Sequence, residues 1–168
     1  MEDCYRVAYN LGSGRSPWPG WTNVDIAGSG ADLESDLRKL PIESDSADAV
    51  AAIHVLEHFY QWEAEPLLRE WRRILKPGGV LILEMPSMDK VFSYIAHCVK
   101  TKEDIFDFMT MNAFYGDPKH EDPMMTHKWG YFKNSILDLL EKVGMRNIVF
   151  PEVRYHFRFR DLRVECNK

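Results

Sequence analysis

The sequence predicts an α/β fold, a mostly parallel sheet with flanking helices, and three observations predict it. Short runs rich in Val, Ile and Leu alternate with segments of helical period. Closely spaced glycines, Gly12 and Gly14, follow the first of those runs directly. An acidic residue, Asp25, closes the second run, where a sheet of this kind presents its ligand-facing edge.

Taken in order, strands are expected at 5–11, 22–26, 47–53 and 80–85. Between 64 and 76, Leu67, Leu68, Trp71, Ile74 and Leu75 recur at the spacing of one buried helix face, and Lys76-Pro77-Gly78-Gly79 stops that helix. Asn134 is the expected N-cap of a second helix, with Ile136, Leu137, Leu140 and Val143 inward and Gly144 just past its end. Residues 147–150 and 162–166 read as an antiparallel C-terminal strand pair.

From 153 to 160 apolar and basic residues alternate strictly, and the phase slips at Asp161, so a turn or bulge is expected near Arg160-Asp161. Arg154, His156, Arg158 and Arg160 then form a solvated face, with contact to an anionic substrate as the alternative. The stretch 87–132 is the least regular, with helical pieces at Val91, Phe92, Ile95 and Val99 and at Ile105, Phe108 and Met109. A turn-rich run, 116–123, follows. An insertion of that length is expected to be functional, a lid on an otherwise single domain spanning 1–168.

Composition narrows the function. A chain of 168 residues that is 45% hydrophobic supports one core rather than two. A formal charge of −5 gives no general footprint for phosphate backbones, so nucleic acid is not favoured as a partner. Cys4, Cys98 and Cys166 lack paired spacing, which argues against a disulfide framework or a zinc ribbon and for a reducing, cytoplasmic setting. The first residues, with Glu2, Asp3 and Arg6, do not resemble an export signal, and no apolar run reaches the ~20 residues of a membrane span.

The loop Asn10-Leu11-Gly12-Ser13-Gly14 reads as a cofactor site, because glycines let backbone approach a ligand with no Cβ between them. A dinucleotide is argued against. Residues 15–22 hold Pro17, Pro19 and Gly20, so the first helix is shortened or absent, and only twelve residues separate Gly12 from Asp25, against about twenty in the dinucleotide fingerprint. Two other readings stay open: a glycine turn that merely joins strands, and, for His54-Val55-Leu56-Glu57-His58, a His-x-x-Glu-His zinc protease. Zinc ligation of that type needs both histidines on one continuous helix, whereas the preceding run 47–53 reads as a strand.

The glycine loop, Asp25, Asp36-Leu37, His54-Val55-Leu56-Glu57-His58 and Leu75-Lys76-Pro77-Gly78-Gly79, in this order, resemble the class I S-adenosylmethionine-dependent methyltransferases, in particular small members carrying Leu-Glu-His after the fourth strand. The resemblance implies a Rossmann-like fold, S-adenosylmethionine as methyl donor, S-adenosylhomocysteine as product, and a small or medium-sized acceptor. It implies cofactor contacts from Asn10, Gly12, Ser13, Gly14, Asp25, Asp36, Leu37 and His54, with Asp25 on the ribose diol and Asp36 and Leu37 at the adenine. Glu57, His58 and His127 are the candidates for removing a proton from the acceptor or positioning it, and no metal is required. There are two departures. Asn10 stands where most of the superfamily has an acid, and the missing helix leaves a wall of the pocket to the Trp18-Trp21 loop, to the insertion, or to a second subunit of a homodimer. A non-catalytic S-adenosylmethionine-binding module is the alternative from another class.

Overall fold

The structure is a computed structural model that describes residues 5–104 and 109–168. Seven strands form one sheet: β1 (Ala8–Leu11), β2 (Thr22–Asp25), β3 (Leu33–Glu34), β4 (Ala47–Ile53), β5 (Leu75–Pro86), β6 (Arg146–Val149) and β7 (Asp161–Asn167). Their spatial order is β3-β2-β1-β4-β5-β7-β6. The first five run parallel, and β7 pairs antiparallel with both β5 and β6. The expected antiparallel strands are therefore present. The expected strand over 5–11 forms only from Ala8, and β5 begins five residues before the expected 80, with Leu75 pairing Ala47 before a bulge.

Strand side chains alternate between two very different faces. Leu11, Val24, Val50, Ala52, Leu81, Leu83, Met85, Val164 and Cys166 enter the main core. Helices α1 (Gln61–Ile74) and α4 (Lys133–Lys142) close it with Leu67, Leu68, Trp71, Ile74, Ile136 and Leu140, the residues the helical spacing selects. Helix α4 starts from Phe132 rather than Asn134, because the Ser135 hydroxyl accepts the Phe132 N–H and so caps the first turn from inside. It ends on Gly144 at φ +87°, as expected of a C′ glycine.

The opposite face carries Ala8, Ala49, Ala51 and Ile82, and its apolar cluster draws no residue from a helix. Loops cover it instead. Residues 12–21 contain no helix, and Trp21, half-buried Trp18 and Tyr5 pack edge-on over the alanines. Asn23 organises this loop: its side chain accepts from the Trp18 N–H and donates to the carbonyls of Trp18 and Trp21. Tyr155 then lies against Trp18, 4.5 Å between ring centroids.

That second cover comes from the segment 153–160. The segment forms no strand, because the backbone N–H groups of Arg154 and Tyr155 donate to the Glu84 carboxylate on β5 and not to a neighbouring strand. The turn arrives where the phase slips, with the Arg160 and Asp161 N–H groups both on the Phe157 carbonyl. Arg160 is buried, so the basic residues are not one solvated face.

Glu84, fully buried, also accepts from Arg163 Nη1 at 2.9 Å, and Arg163 is 1% exposed. Removing one member of a buried pair strands the other's charge, which costs roughly 3–5 kcal/mol. Arg163→Met should therefore lower unfolding free energy by about that amount in urea titrations. Arg158→Met, which breaks an ion pair with Glu152 that is exposed on both sides, should change it by less than ~1 kcal/mol.

Candidate active site

The carboxyl ends of β1, β2 and β4 meet at the glycine loop. Gly12 and Ser13 donate their N–H groups to the Val24 carbonyl, and Gly14 donates to Asp25 Oδ2 at 2.6 Å. Asp25 Oδ1 accepts the Ile26 N–H, so two backbone donors fix the carboxylate at the tip of β2. Gly12 has φ +65°, and a Cβ there would lie 2.5 Å from Val55. Its glycine character thus serves the approach of the segment after β4. Gly14, at φ +51°, has open space where a Cβ would stand. A ligand can approach the backbone there, beside the Asp25 carboxylate and the exposed Ile26, which fits a ribose diol and an apolar ring face.

The remaining cofactor candidates divide. Ser13 is buried in the loop. Asn10 is buried, and its amide donates to Asn23 Oδ1, its register partner on β2. That pairing explains an amide where an acid is usual: a carboxylate there would face the Asn23 oxygen. Asp36 is exposed and bound by Arg38, whose guanidinium holds its carboxyl below the ordinary range. Leu37 packs into the main core and its carbonyl accepts the Trp71 indole N–H.

His54, one residue past β4, has φ +55°. This left-handed residue turns the chain into a short 3-10 turn, Leu56–His58, so no continuous helix carries His54 and His58 together. The zinc-protease geometry is absent from this segment. His54 Nε2 instead meets Asp161 Oδ2 at 2.9 Å, and Nδ1 lies 3.0 Å from Glu57 Oε1, an ion-pair approach without hydrogen-bond alignment. Burial pulls the His54 pKa down, but the two carboxylates more than reverse this and raise it to about 9. Asp161, buried yet bonded by His54 and Arg160, falls to about 2.

Glu57 is 1% exposed, and neither carboxylate oxygen has a hydrogen-bond partner among the described residues. Burial pushes its pKa up, and the imidazoles of His54, His58 and His127 outweigh that, leaving it below the usual range. The structure brings His127 here from 70 residues away: its Nε2 is 4.0 Å from Glu57 Oε1, and its ring meets that of His58 at 4.9 Å. Burial lowers the His58 pKa, which keeps that ring neutral. Lys128 and Trp129 both donate backbone N–H groups to the Glu57 carbonyl, and Lys128 Nζ reaches the His58 carbonyl. Tyr131, buried beside this group with its hydroxyl unpartnered among the described residues, is raised in pKa by burial and by Glu57. Sequence reasoning did not single out Tyr131, Asp161 or Lys128, because their relevance comes from tertiary approach alone.

A cavity of about 300 Å³ opens beside His127, walled by Met88 and Phe92 of helix α2 (Met88–Thr101), by Phe114 of helix α3 (Met111–Tyr115), and by Trp129 and Phe132. The expected helical piece at Val91, Phe92, Ile95 and Val99 is α2; of the second expected piece, Ile105 and Phe108 lie outside the described residues.

Residues 22–83 match the profile of a family described as a methyltransferase domain. Among solved structures, a SAM-dependent methyltransferase from Archaeoglobus fulgidus superposes with a TM-score of 0.69 at 15% identity, covering 99% of this chain and 87% of that one. A SAM-dependent methyltransferase from Thermotoga maritima, titled a possible histamine N-methyltransferase, gives 0.63 at 15% identity over 96% and 82%. Human N-acetylserotonin methyltransferase in complex with SAM gives 0.63 at 17% identity, covering 98% of this chain and 48% of its own. No curated protein sequence matches this chain. The fold is that of these S-adenosylmethionine-dependent methyltransferases, and within it residues 22–83 carry a methyltransferase-domain profile.

The His54 corner makes a pH prediction. Because its pKa is raised on folding, its contribution is fully present below about pH 6.5 and fades as pH rises through 9, on the order of 3 kcal/mol in all. Thermal melts between pH 6 and 10 should show that decline in the parent chain and a flatter profile in His54→Gln.

Proposed function

We propose that this chain transfers a methyl group from S-adenosylmethionine to a small or medium-sized acceptor that enters beside His127. One observation carries the reading. The four-residue turn from Val55 to His58 touches the glycine loop at one end, through Val55 on Gly12, and the cavity-lining segment at the other, through Glu57 on Lys128 and Trp129. Donor crevice and acceptor cavity therefore share one short piece of backbone.

In this reading Asp25 holds the ribose hydroxyls and Gly14 supplies the open backbone. Asp36 binds at the adenine side, although it must share its carboxylate with Arg38. Asn10, Leu37 and His54 shape the crevice from behind, since their side chains are engaged elsewhere. When bound, the cofactor supplies a methyl already activated by a sulfonium. The chain's own tasks are to align the acceptor and to take its proton. His127 Nε2 is the basic atom at the cavity, with His58 Nε2 on the ring packed against it, because each ring's Nδ1–H is directed at a backbone carbonyl. Glu57, ionised beneath them, stabilises an imidazolium formed by proton uptake.

Residues 87–132 form the proposed lid. They leave the sheet at its ligand-facing edge and wall the cavity with Met88, Phe92 and Phe114. The buried thiols of Cys98 and Cys166 support a cytoplasmic setting, and no helix among the described residues is long and apolar enough to cross a membrane.

Calorimetry with S-adenosylmethionine tests the donor side. Asp25→Ala should weaken binding about tenfold to a hundredfold, the roughly 1.5–3 kcal/mol of hydrogen bonds to a charged acceptor, and NAD should not bind. On the acceptor side, His127→Ala should lower S-adenosylhomocysteine formation while S-adenosylmethionine affinity stays within about twofold. Equal loss of both would remove His127 from the acceptor side.

A further inference from the structure

We propose that Glu57, His58 and His127 form a binding site for one divalent transition-metal ion that would present open coordination positions to the acceptor. This deepens the acceptor half of the methyl-transfer reading and rests on it only for the acceptor's identity. One donor atom from each residue lies within 4.8 Å of the others. In a tetrahedral site with metal–nitrogen bonds of about 2.0–2.1 Å, donor atoms stand roughly 3.3 Å apart, so the three must close by no more than about 1.5 Å.

Geometry in the surroundings supports this more than proximity does. A carbonyl can only accept, so the bond from His58 Nδ1 to the Thr126 carbonyl and that from His127 Nδ1 to the Ala113 carbonyl fix the proton on Nδ1 in both rings. Both Nε2 lone pairs are then left available, and that of His127 lies 4.0 Å from Glu57 Oε1. Metal-bound histidines are oriented by this same device, the second ring nitrogen donating to a backbone carbonyl. Glu57 supplies the second observation: a carboxylate 1% exposed, with neither oxygen hydrogen-bonded among the described residues. His54 Nδ1 approaches Oε1 at 3.0 Å, while Oε2 has no hydrogen-bond partner among the described residues, and a buried carboxylate oxygen left in that state suits a cation.

A second trio, His54, His156 and Asp161, is also close enough to hold an ion. There the Asp161 carboxylate is already used by His54, by the Phe157 N–H and by Arg160, so its oxygens are satisfied without one.

Two imidazoles and one carboxylate leave coordination positions open, as in hydrolytic zinc sites. They suit an acceptor hydroxyl. Bound to the ion, that hydroxyl loses its proton to solvent near neutral pH, and the two imidazoles then act as ligands in place of taking that proton themselves. An oxygen lone pair then forms the bond to the methyl carbon, the carbon–sulfur pair goes to sulfur, and the neutral thioether S-adenosylhomocysteine leaves. The inference therefore selects oxygen acceptors over amines.

The test uses the full chain, stripped with a chelator and titrated with Co²⁺, followed by visible absorption, and with Zn²⁺, followed by calorimetry. One ion per chain is expected, with affinity at least tenfold lower in His58→Ala, His127→Ala and Glu57→Gln, and unchanged in His120→Ala, an exposed histidine. Should His127→Ala unfold, His127→Gln, which retains an amide for the Ala113 carbonyl, reads the same loss. A silent titration, or binding lost in His156→Ala and kept in His127→Gln, overturns the site. Cofactor binding is measured separately. S-adenosylmethionine bound with no metal uptake rejects this inference alone, and metal bound with no S-adenosylmethionine supports the site while rejecting the methyl-transfer reading.

Discussion

A single carboxylate holds the helix-free face of the sheet together. Glu84, in the interior of β5, accepts from Arg163 and from two consecutive backbone N–H groups, Arg154 and Tyr155. An ion in that position must be fully satisfied to be tolerated, and satisfying it determines where the chain between β6 and β7 runs. Because that segment is pinned across β5, Asp161 reaches His54, and His54 in turn lies against Glu57. Three buried carboxylates, Glu84, Asp161 and Glu57, thus form a graded series. The first is saturated by donors, the second is paired with two cations, and the third faces the imidazoles of His54 and His127.

The architecture was legible wherever periodicity and glycine placement report directly on backbone geometry. Residues Leu67 to Ile74 could only bury their apolar stripe as a helix, and the runs at 22–25 and 47–53 had nowhere but a sheet interior to go. The missing helix after β1 was legible too, because Pro17 and Pro19 cannot sustain one. What replaced it was not. The Asn23 side chain that ties the loop together makes contacts up to thirteen residues away in the chain, and a pattern read in local windows assigns such an asparagine to the surface.

The segment 153–160 shows the same limit from the other side. Its alternation satisfies the local rule for a strand, yet the partner that claimed its N–H groups was a side chain from β5, so tertiary demand overrode local pattern. The candidate site divides along this line. Gly14 and Asp25 were placed by motif and lie together. Glu57 and His127 were named together as acceptor-side candidates from segments 70 residues apart, and only the fold brings their side chains to 4.0 Å. The role of His54 depended on a left-handed φ that hydrophobic periodicity does not report.

The absent first helix has an optical consequence. Its place is held by two indoles in edge contact, Trp18 and Trp21, with Trp18 also against Tyr155 from the opposite end of the chain. The loop that carries them begins at Gly14, where a Cβ would meet nothing, and ends at β2, which carries Asp25. Here the covering layer is itself a chromophore pair, tied through Asn23 to the strand that bears Asp25, so two of the chain's five tryptophans emit from a layer that moves with that strand.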